Sequence, residues 1–325
     1  MMSNLFYSYS DYLKKRYHEK VYKLPISLPV TCPNRERGKK GCAFCAGEGT
    51  GFEAKNTKDS ITEQLFEVRK LIESKYNAHK FIGYFQNYTN TYLPLEDFKS
   101  YMSEAAAAED IVEIAISTRP DCIREDYLEV LQNISEQFSV GITVELGLQT
   151  ANYHTLAMME RGHGLAEFID AVLRIQRFGF DICVHVILNL PGDTLTDSIE
   201  TAKILSAFRI PIVKIHSLYI AKNSLLCDWY KNGKIAVCSK EEYMNRLVHF
   251  IEYLSPEIAI ERLFSRIPEE SSIFCNWGVS WWRLKDEFEK TMTERESFQG
   301  KKFHYMNGSA LEALSLRGTR HIGRK

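Results

Sequence analysis

Residues 181–194 read DICVHVILNLPGDT. As far as Leu190 the run is almost continuously apolar, and Pro191-Gly192 then breaks it. A short apolar run closed by a turn is how a parallel strand covered on both faces reads in sequence. The pattern repeats outward in both directions. Upstream, helical spacing around 152–160 and over 165–178 separates this run from VGITVELGL (140–148). Before that come a helical pattern over about 124–137, IVEIAIS (111–117), the helical LEDFKSYMSEAAAA (95–108) and KFIGYF (80–85). Ile61, Leu65, Val68 and Leu71 recur at helical spacing behind a cap at Asp59 or Ser60. Downstream, a helix over about 195–207 leads to IPIVKIHSLYI (210–220). With ISLPV (26–30), the reading has six strands, five of them joined to the next by a helical segment. Such alternation predicts a parallel α/β sheet, open or curled into a partial barrel. In such folds function collects at the C-terminal strand ends. Polar residues stand at those ends: Cys32, Gln86-Asn87, Thr118-Arg119, Gln149-Thr150 and Asp193.

From about residue 222 the pattern changes. Helical stretches at 239–254 and 281–292 dominate, with one strand pattern, IAIERLF (258–264). This predicts a mainly helical C-terminal extension over 222–325, after a main domain over 1–221.

Forty-one Lys and Arg against 42 Asp and Glu leave a net charge of −1, so bulk charge does not mark a nucleic-acid binder. The tail SLRGTRHIGRK (315–325) is basic, through Arg317, Arg320, Arg324 and Lys325 with His321; it reads either as a solvated end or as a phosphate contact. No apolar run approaches the roughly 18–20 residues of a membrane helix. The N-terminus has no basic segment leading into an apolar one. A cytoplasmic protein is expected, with reduced thiols and no membrane.

Three of the eight cysteines form a pattern. In VTCPNRERGKKGCAFCAG (30–47), nine residues separate Cys32 from Cys42, and two separate Cys42 from Cys45. Zinc would need a fourth ligand from elsewhere in the chain. A redox CxxC would leave Cys32 unexplained. A three-cysteine iron–sulfur site fits best, leaving one iron open, in a Gly-rich cationic loop (Arg35, Arg37, Gly38, Lys39, Lys40, Gly41) suited to an anionic cluster.

Here the chain resembles the radical S-adenosylmethionine (SAM) superfamily. Cys32-Pro33-Asn34-Arg35 followed by Gly41-Cys42-Ala43-Phe44-Cys45 is similar to the radical-SAM domain of the elongator catalytic subunit and a related bacterial group. YFQNYTNTY (84–92), STRPD (117–121), VELGLQT (144–150), RGH (161–163) and HVILNLPGDT (185–194) extend the likeness over roughly residues 5–265. The resemblance implies a partial (β/α)6 TIM-like barrel. It also implies a [4Fe–4S] cluster on Cys32, Cys42 and Cys45, and reductive cleavage of SAM to a 5′-deoxyadenosyl radical. Carried over by motif, Phe44 lies near the adenine, and Gln86, Asn87 and Tyr88 near the SAM amino group. Ser117 ends the third strand. Gln149 and Arg161 reach the ribose and carboxylate, and His185 the adenosyl moiety. NLPGDT (189–194) lacks the Gly-Lys-Ser of a phosphate loop and reads as a turn with Asp193 or Thr194 as helix cap.

For the substrate, the resemblance implies tRNA, with chemistry on a wobble uridine side chain, and an electron donor of flavodoxin or ferredoxin type. Lys14, Lys15, Arg16 and Lys20 interleaved with Tyr12 and Tyr17 are compatible with bases stacking over a basic surface. Trp277, Trp281 and Trp282 read either as helix core or as further stacking groups. No counterpart of the elongator acetyltransferase domain is read, so the reaction is expected to remodel a group already present or to take one from elsewhere. The alternatives are a radical enzyme for a small metabolite or porphyrin-like molecule, and a non-catalytic iron–sulfur partner protein.

Overall fold

The computed structural model describes residues 5–38, 41–45, 59–76 and 78–311. The basic tail and Lys39-Lys40 lie outside these residues. Seven strands form one sheet in the order β1 (Val21–Ile26), β2 (Lys80–Phe85), β3 (Ile111–Thr118), β4 (Gly141–Gln149), β5 (Asp181–Ile187), β6 (Ile212–His216) and β8 (Ala259–Arg262). Every neighbouring pair is parallel. A two-stranded antiparallel ribbon pairs β7 (Tyr219–Ala221) with β9 (Ser272–Cys275).

The sheet is curled. Lys23 on edge strand β1 reaches Glu145 on β4 at 2.5 Å and Glu261 on the opposite edge strand, β8, at 2.7 Å. A flat seven-stranded sheet would hold its edges far beyond side-chain reach, since neighbouring strands lie about 4.8 Å apart. The expected partial barrel is therefore present, lengthened to seven strands by IAIERLF. The first strand lies earlier than expected: pairing with β2 runs from Val21 to Ile26, and Pro29 follows where a ladder N–H would be needed. The 210–220 run splits at Ser217-Leu218 into β6 and β7.

Helices cover the outside. α2 (Ile61–Tyr76), α3 (Leu95–Ala106), α4 (Glu125–Phe138) and α6 (Leu165–Arg177) each bury a mainly apolar stripe, while α7 (Leu195–Ala207) buries Ser198, Thr201 and Ser206 beside Ala202 and Leu205. In α6 that stripe is Phe168, Ala171, Val172 and Ile175, at the three-to-four spacing that keeps side chains on one face. Thr194 begins α7, with its N–H and hydroxyl both donating to Asp197. α5 (Tyr153–Met158) starts at Asn152, whose side chain accepts from two backbone N–H groups. The C-terminal part holds α8 (Leu225–Lys231), α9 (Lys240–Tyr253) and α10 (Trp281–Glu294).

The N-terminal helix α1 (Tyr9–Tyr17) closes the barrel at the N-terminal ends of the strands. The Tyr12 hydroxyl donates to Asp181 at 2.7 Å, Arg16 pairs with the same carboxylate, and Tyr17 donates to Glu113. These residues plug the base of the barrel, so Tyr12 and Tyr17 are not the stacking platform their spacing suggested. No helix among the described residues is long and apolar enough to cross a membrane.

Candidate active site

The cysteine loop crosses the opposite mouth, above the C-terminal strand ends. Its middle is pinned on both sides: the Ala43 N–H donates to the Met159 carbonyl at 3.0 Å, and the Ala43 carbonyl accepts from the Leu226 N–H at 2.8 Å. Cys42, Phe44, Met159, Ile187, Leu190, Leu218 and Leu226 pack together beneath it. The loop is thus fixed by the end of α5 and the start of α8, and Cys32, Cys42 and Cys45 line one cavity.

Asn34 ties this loop to the barrel. Its amide donates to the Glu160 and Arg161 carbonyls, both at 2.9 Å, and to the Cys42 sulfur at 3.3 Å. This approach requires Gly162, which has φ +72°; a Cβ there would lie 2.7 Å from the Asn34 side-chain oxygen. Arg161 donates to the same sulfur at 3.2 Å, to the Gly147 carbonyl at 2.7 Å, and lies 2.9 Å from His163 Nε2. Burial and the adjacent Arg161 lower the His163 pKa to about 4, so its ring is neutral and accepts. Arg119, fixed by Asp121, lies 3.8 Å from the Cys32 sulfur. The Cys42 thiol sits well below the usual range, because Cys45 hydrogen-bonds it and Arg161 and Asn34 stabilise the thiolate.

Among the other residues expected at the site, Phe44, Gln86, Tyr88, Ser117, Gln149, Arg161 and His185 line this cavity. Asn87 does not: its amide turns to the Ser27 hydroxyl at 2.6 Å and holds the turn after β2. Gln149 is aimed by a bulge at the end of β4, where the register shifts between Gly147 and Gln149, and it takes φ +75°. A Cβ on Gly147 would lie 2.8 Å from the Gln149 amide nitrogen and 3.1 Å from Arg161. A side chain there would displace the Gln149 amide or the Arg161 guanidinium from its present place.

Below the mouth lies a charged floor that the sequence reading did not assemble. Glu145 accepts from Lys23 at 2.5 Å and from Tyr84 at 2.8 Å, and lies 2.6 Å from His185 and 3.4 Å from Lys214. Lys214 also pairs with Glu261 at 2.9 Å. Despite the cost of burial, the two lysines hold Glu145 well below the carboxylate range and Glu261 at about 2. The donor atoms of Glu145, Cys183 and His185 lie within 4.8 Å of one another. The Glu145 oxygens are already saturated by cations and the tyrosine hydroxyl, so the set needs no metal. These side chains hide in sequence because a lone Lys or Glu inside an apolar strand carries no sign of its partners on other strands.

The residues fit a cluster with a zwitterionic ligand beside it. Three thiols converge with cationic donors behind them. The buried Gln86 Oε1 and Arg161 Nε have no hydrogen-bond partner among the described residues, an arrangement that a bound polar ligand would relieve. All eight cysteines are free, as thiolate ligation requires.

Known proteins agree with this geometry. Residues 26–205 match the model of the Radical SAM superfamily, and 210–294 match that of the Radical_SAM C-terminal domain. The uncharacterized protein YtqA of Bacillus subtilis is 31% identical over 93% of this chain and 97% of its own length. The tRNA uridine(34) acetyltransferase of Dehalococcoides mccartyi is 22% identical over 52% of this chain and 36% of its own. The archaeal Elp3 of Methanocaldococcus infernus shares the fold, with a TM-score of 0.66 at 16% identity, covering 86% of this chain and 64% of that one. With the family match spanning more than half the sequence, the chain belongs to the radical SAM superfamily, whose cofactors are a [4Fe–4S] cluster and SAM.

Proposed function

We propose that Cys32, Cys42 and Cys45 hold the cluster, and that Phe44, Gln86, Tyr88, Ser117, Gln149, Arg161 and His185 receive SAM, in an enzyme that remodels the side chain of a tRNA wobble uridine. The observation that carries the site is the convergence of the three thiols and these seven side chains on one cavity at the C-terminal mouth. When bound, the cluster and SAM supply hydrogen-atom abstraction. The protein's part is placement. Arg161, fixed by Gly147 and His163, presents a guanidinium suited to a carboxylate. Gln86 Oε1 offers an acceptor to an ammonium. Phe44, with the Arg161 guanidinium 5.6 Å from its ring, offers a flat face to a purine. The barrel wall and the loop over it exclude water from a reactive species.

For the substrate, support comes from two likenesses: a partial match to a protein named tRNA uridine(34) acetyltransferase, and the fold shared with Elp3. Residues 1–221 then form the catalytic unit, and 222–325 an extension that lends β8 to the sheet. A cytoplasmic location and an electron donor of flavodoxin or ferredoxin type complete the reading. Two measurements test it. Anaerobically reconstituted protein with dithionite should release 5′-deoxyadenosine from SAM; a well-loaded cluster that releases none would sink the enzyme. A strain lacking the gene should show one altered wobble uridine in its tRNA nucleosides; an unchanged profile would sink the substrate.

A further inference from the structure

A second cavity opens through the side of the barrel, at the seam where edge strands β1 and β8 face each other without pairing. Lys14 of α1, Lys20, Lys23 of β1, Arg262, Arg266 and Lys285 of α10 line it, with Glu261 as the single carboxylate among the described residues. Lys23 is paired with Glu145 and Glu261, so the lysines left to the groove are Lys14, Lys20 and Lys285, in a chain whose net charge is −1. Glu261 is already spent on Lys23 and Lys214. Lys14 keeps only a loose 3.8 Å contact to Asp11, and Lys285 pairs with Glu289 on its own helix. Arg262 and Arg266 line both this cavity and the one that holds the cysteines, so the two meet at that wall. At the junction stands Trp281, 36% exposed, with the Arg266 guanidinium 3.8 Å from its ring centroid.

A cationic groove leading past an exposed, arginine-backed indole into an active cavity matches single-stranded nucleic acid. Lysines follow phosphates, and an aromatic face takes an unstacked base. We infer that the seam between β1 and β8 binds the single-stranded loop of the RNA substrate, with phosphates on Lys14, Lys20 and Lys285. Trp281 and Arg266 stack a base at the entrance to the cysteine cavity. This rests on the tRNA reading above and adds the route by which the strand enters.

The test measures binding of an anticodon stem-loop RNA to full-length, cluster-loaded protein across a salt series. Charge reversal of Lys14, Lys20 and Lys285 together should weaken binding at least tenfold and flatten the dependence of log affinity on log salt, since each phosphate contact contributes a slope of roughly 0.7–0.9. Trp281→Ala should weaken it by roughly five- to a hundred-fold, as loss of one stacked base does. Circular dichroism and iron content establish that each variant is folded and loaded. Lys70→Glu with Lys99→Glu, on the exposed faces of α2 and α3, should change nothing. If wild type binds the RNA and the groove variants bind equally well, the seam is not the route, while the tRNA reading stands. If duplex DNA binds as tightly and loses as much on charge reversal, the groove is a general polyanion surface and the single-strand inference is overturned. If wild type binds no RNA, the tRNA reading falls and takes this inference with it.

Discussion

Polar residues gather at both mouths of the barrel but are disposed differently. At the base, Tyr12, Arg16 and Tyr17 of α1 meet Asp181 and Glu113, and Glu113 also accepts from Thr143 at 2.7 Å. At the other mouth, thiols, guanidinium and amide face a cavity, and Gln86 Oε1 and Arg161 Nε are left without partners among the described residues. Polarity at a strand end therefore does not mark a site by itself. What sets the upper mouth apart is that its thiols, guanidinium and amide line one cavity instead of being spent on one another.

The carboxylates sharpen this contrast. Glu145 and Glu261 are held low by lysines, whereas burial raises the pKa of Glu113 beyond what its hydrogen bonds recover. The largest stability effect should follow. Glu145→Gln leaves two lysines beside a neutral amide and should cost about 3–5 kcal/mol, as removal of one partner from a buried pair does. Glu113→Gln, at the base, should cost less than about 1 kcal/mol, because the fold already disfavours its charge. Urea denaturation of both variants measures the difference; equal costs would erase the distinction between the two floors.

The same pair predicts opposite pH behaviour. A carboxylate depressed in the folded state contributes stability above its unfolded pKa of about 4.3, and loses it as pH falls through the folded value. For Glu261 that window runs down to about 2. Glu113, raised in the folded state, works the other way: its contribution is present below the unfolded pKa and declines as pH rises through the folded one. Removing Glu261 should therefore flatten the acid limb of the stability curve. Removing Glu113 should steepen it.

Smaller effects separate neighbours. Gln86→Ala should weaken SAM binding with little change in stability. Asn87→Ala should do the reverse, costing about 1–2 kcal/mol because it strands the buried Ser27 hydroxyl. Isothermal titration with SAM and thermal melts on the two variants would show whether the turn divides its labour this way. At the base, Tyr12→Phe removes a hydroxyl that donates to Asp181 and accepts from Arg16, and should cost about 0.5–1.5 kcal/mol, visible in the melt but not in SAM affinity.

Much of this was legible in sequence because buried parallel strands are written as apolar runs, and β2 to β5 fall close to where those runs stand. α1 was not legible: only Tyr9 and Leu13 of its nine residues are buried, too thin a stripe to announce a helix. The edge strand β1 was misplaced because VYKLPI and ISLPV are equally apolar, and only pairing with β2 decides between them. The cysteines and Arg161, which line the cavity, stand in motifs that spacing makes visible. The Lys23–Glu145–Lys214–Glu261 floor was not legible, because it joins four strands that meet only when the sheet curls. Asn34 stood inside a quoted motif, but its link from Cys42 to the turn at 160–162 is a tertiary contact with no local signature.

The most direct test counts iron and sulfide per chain and records the electron paramagnetic resonance spectrum of the reduced protein with and without SAM, for wild type and Cys42→Ala. The account predicts about four irons per chain and a spectrum that shifts on adding SAM in wild type. It predicts loss of that cluster in the variant while circular dichroism stays native. A full four-iron cluster in Cys42→Ala, with an unchanged response to SAM, would contradict it.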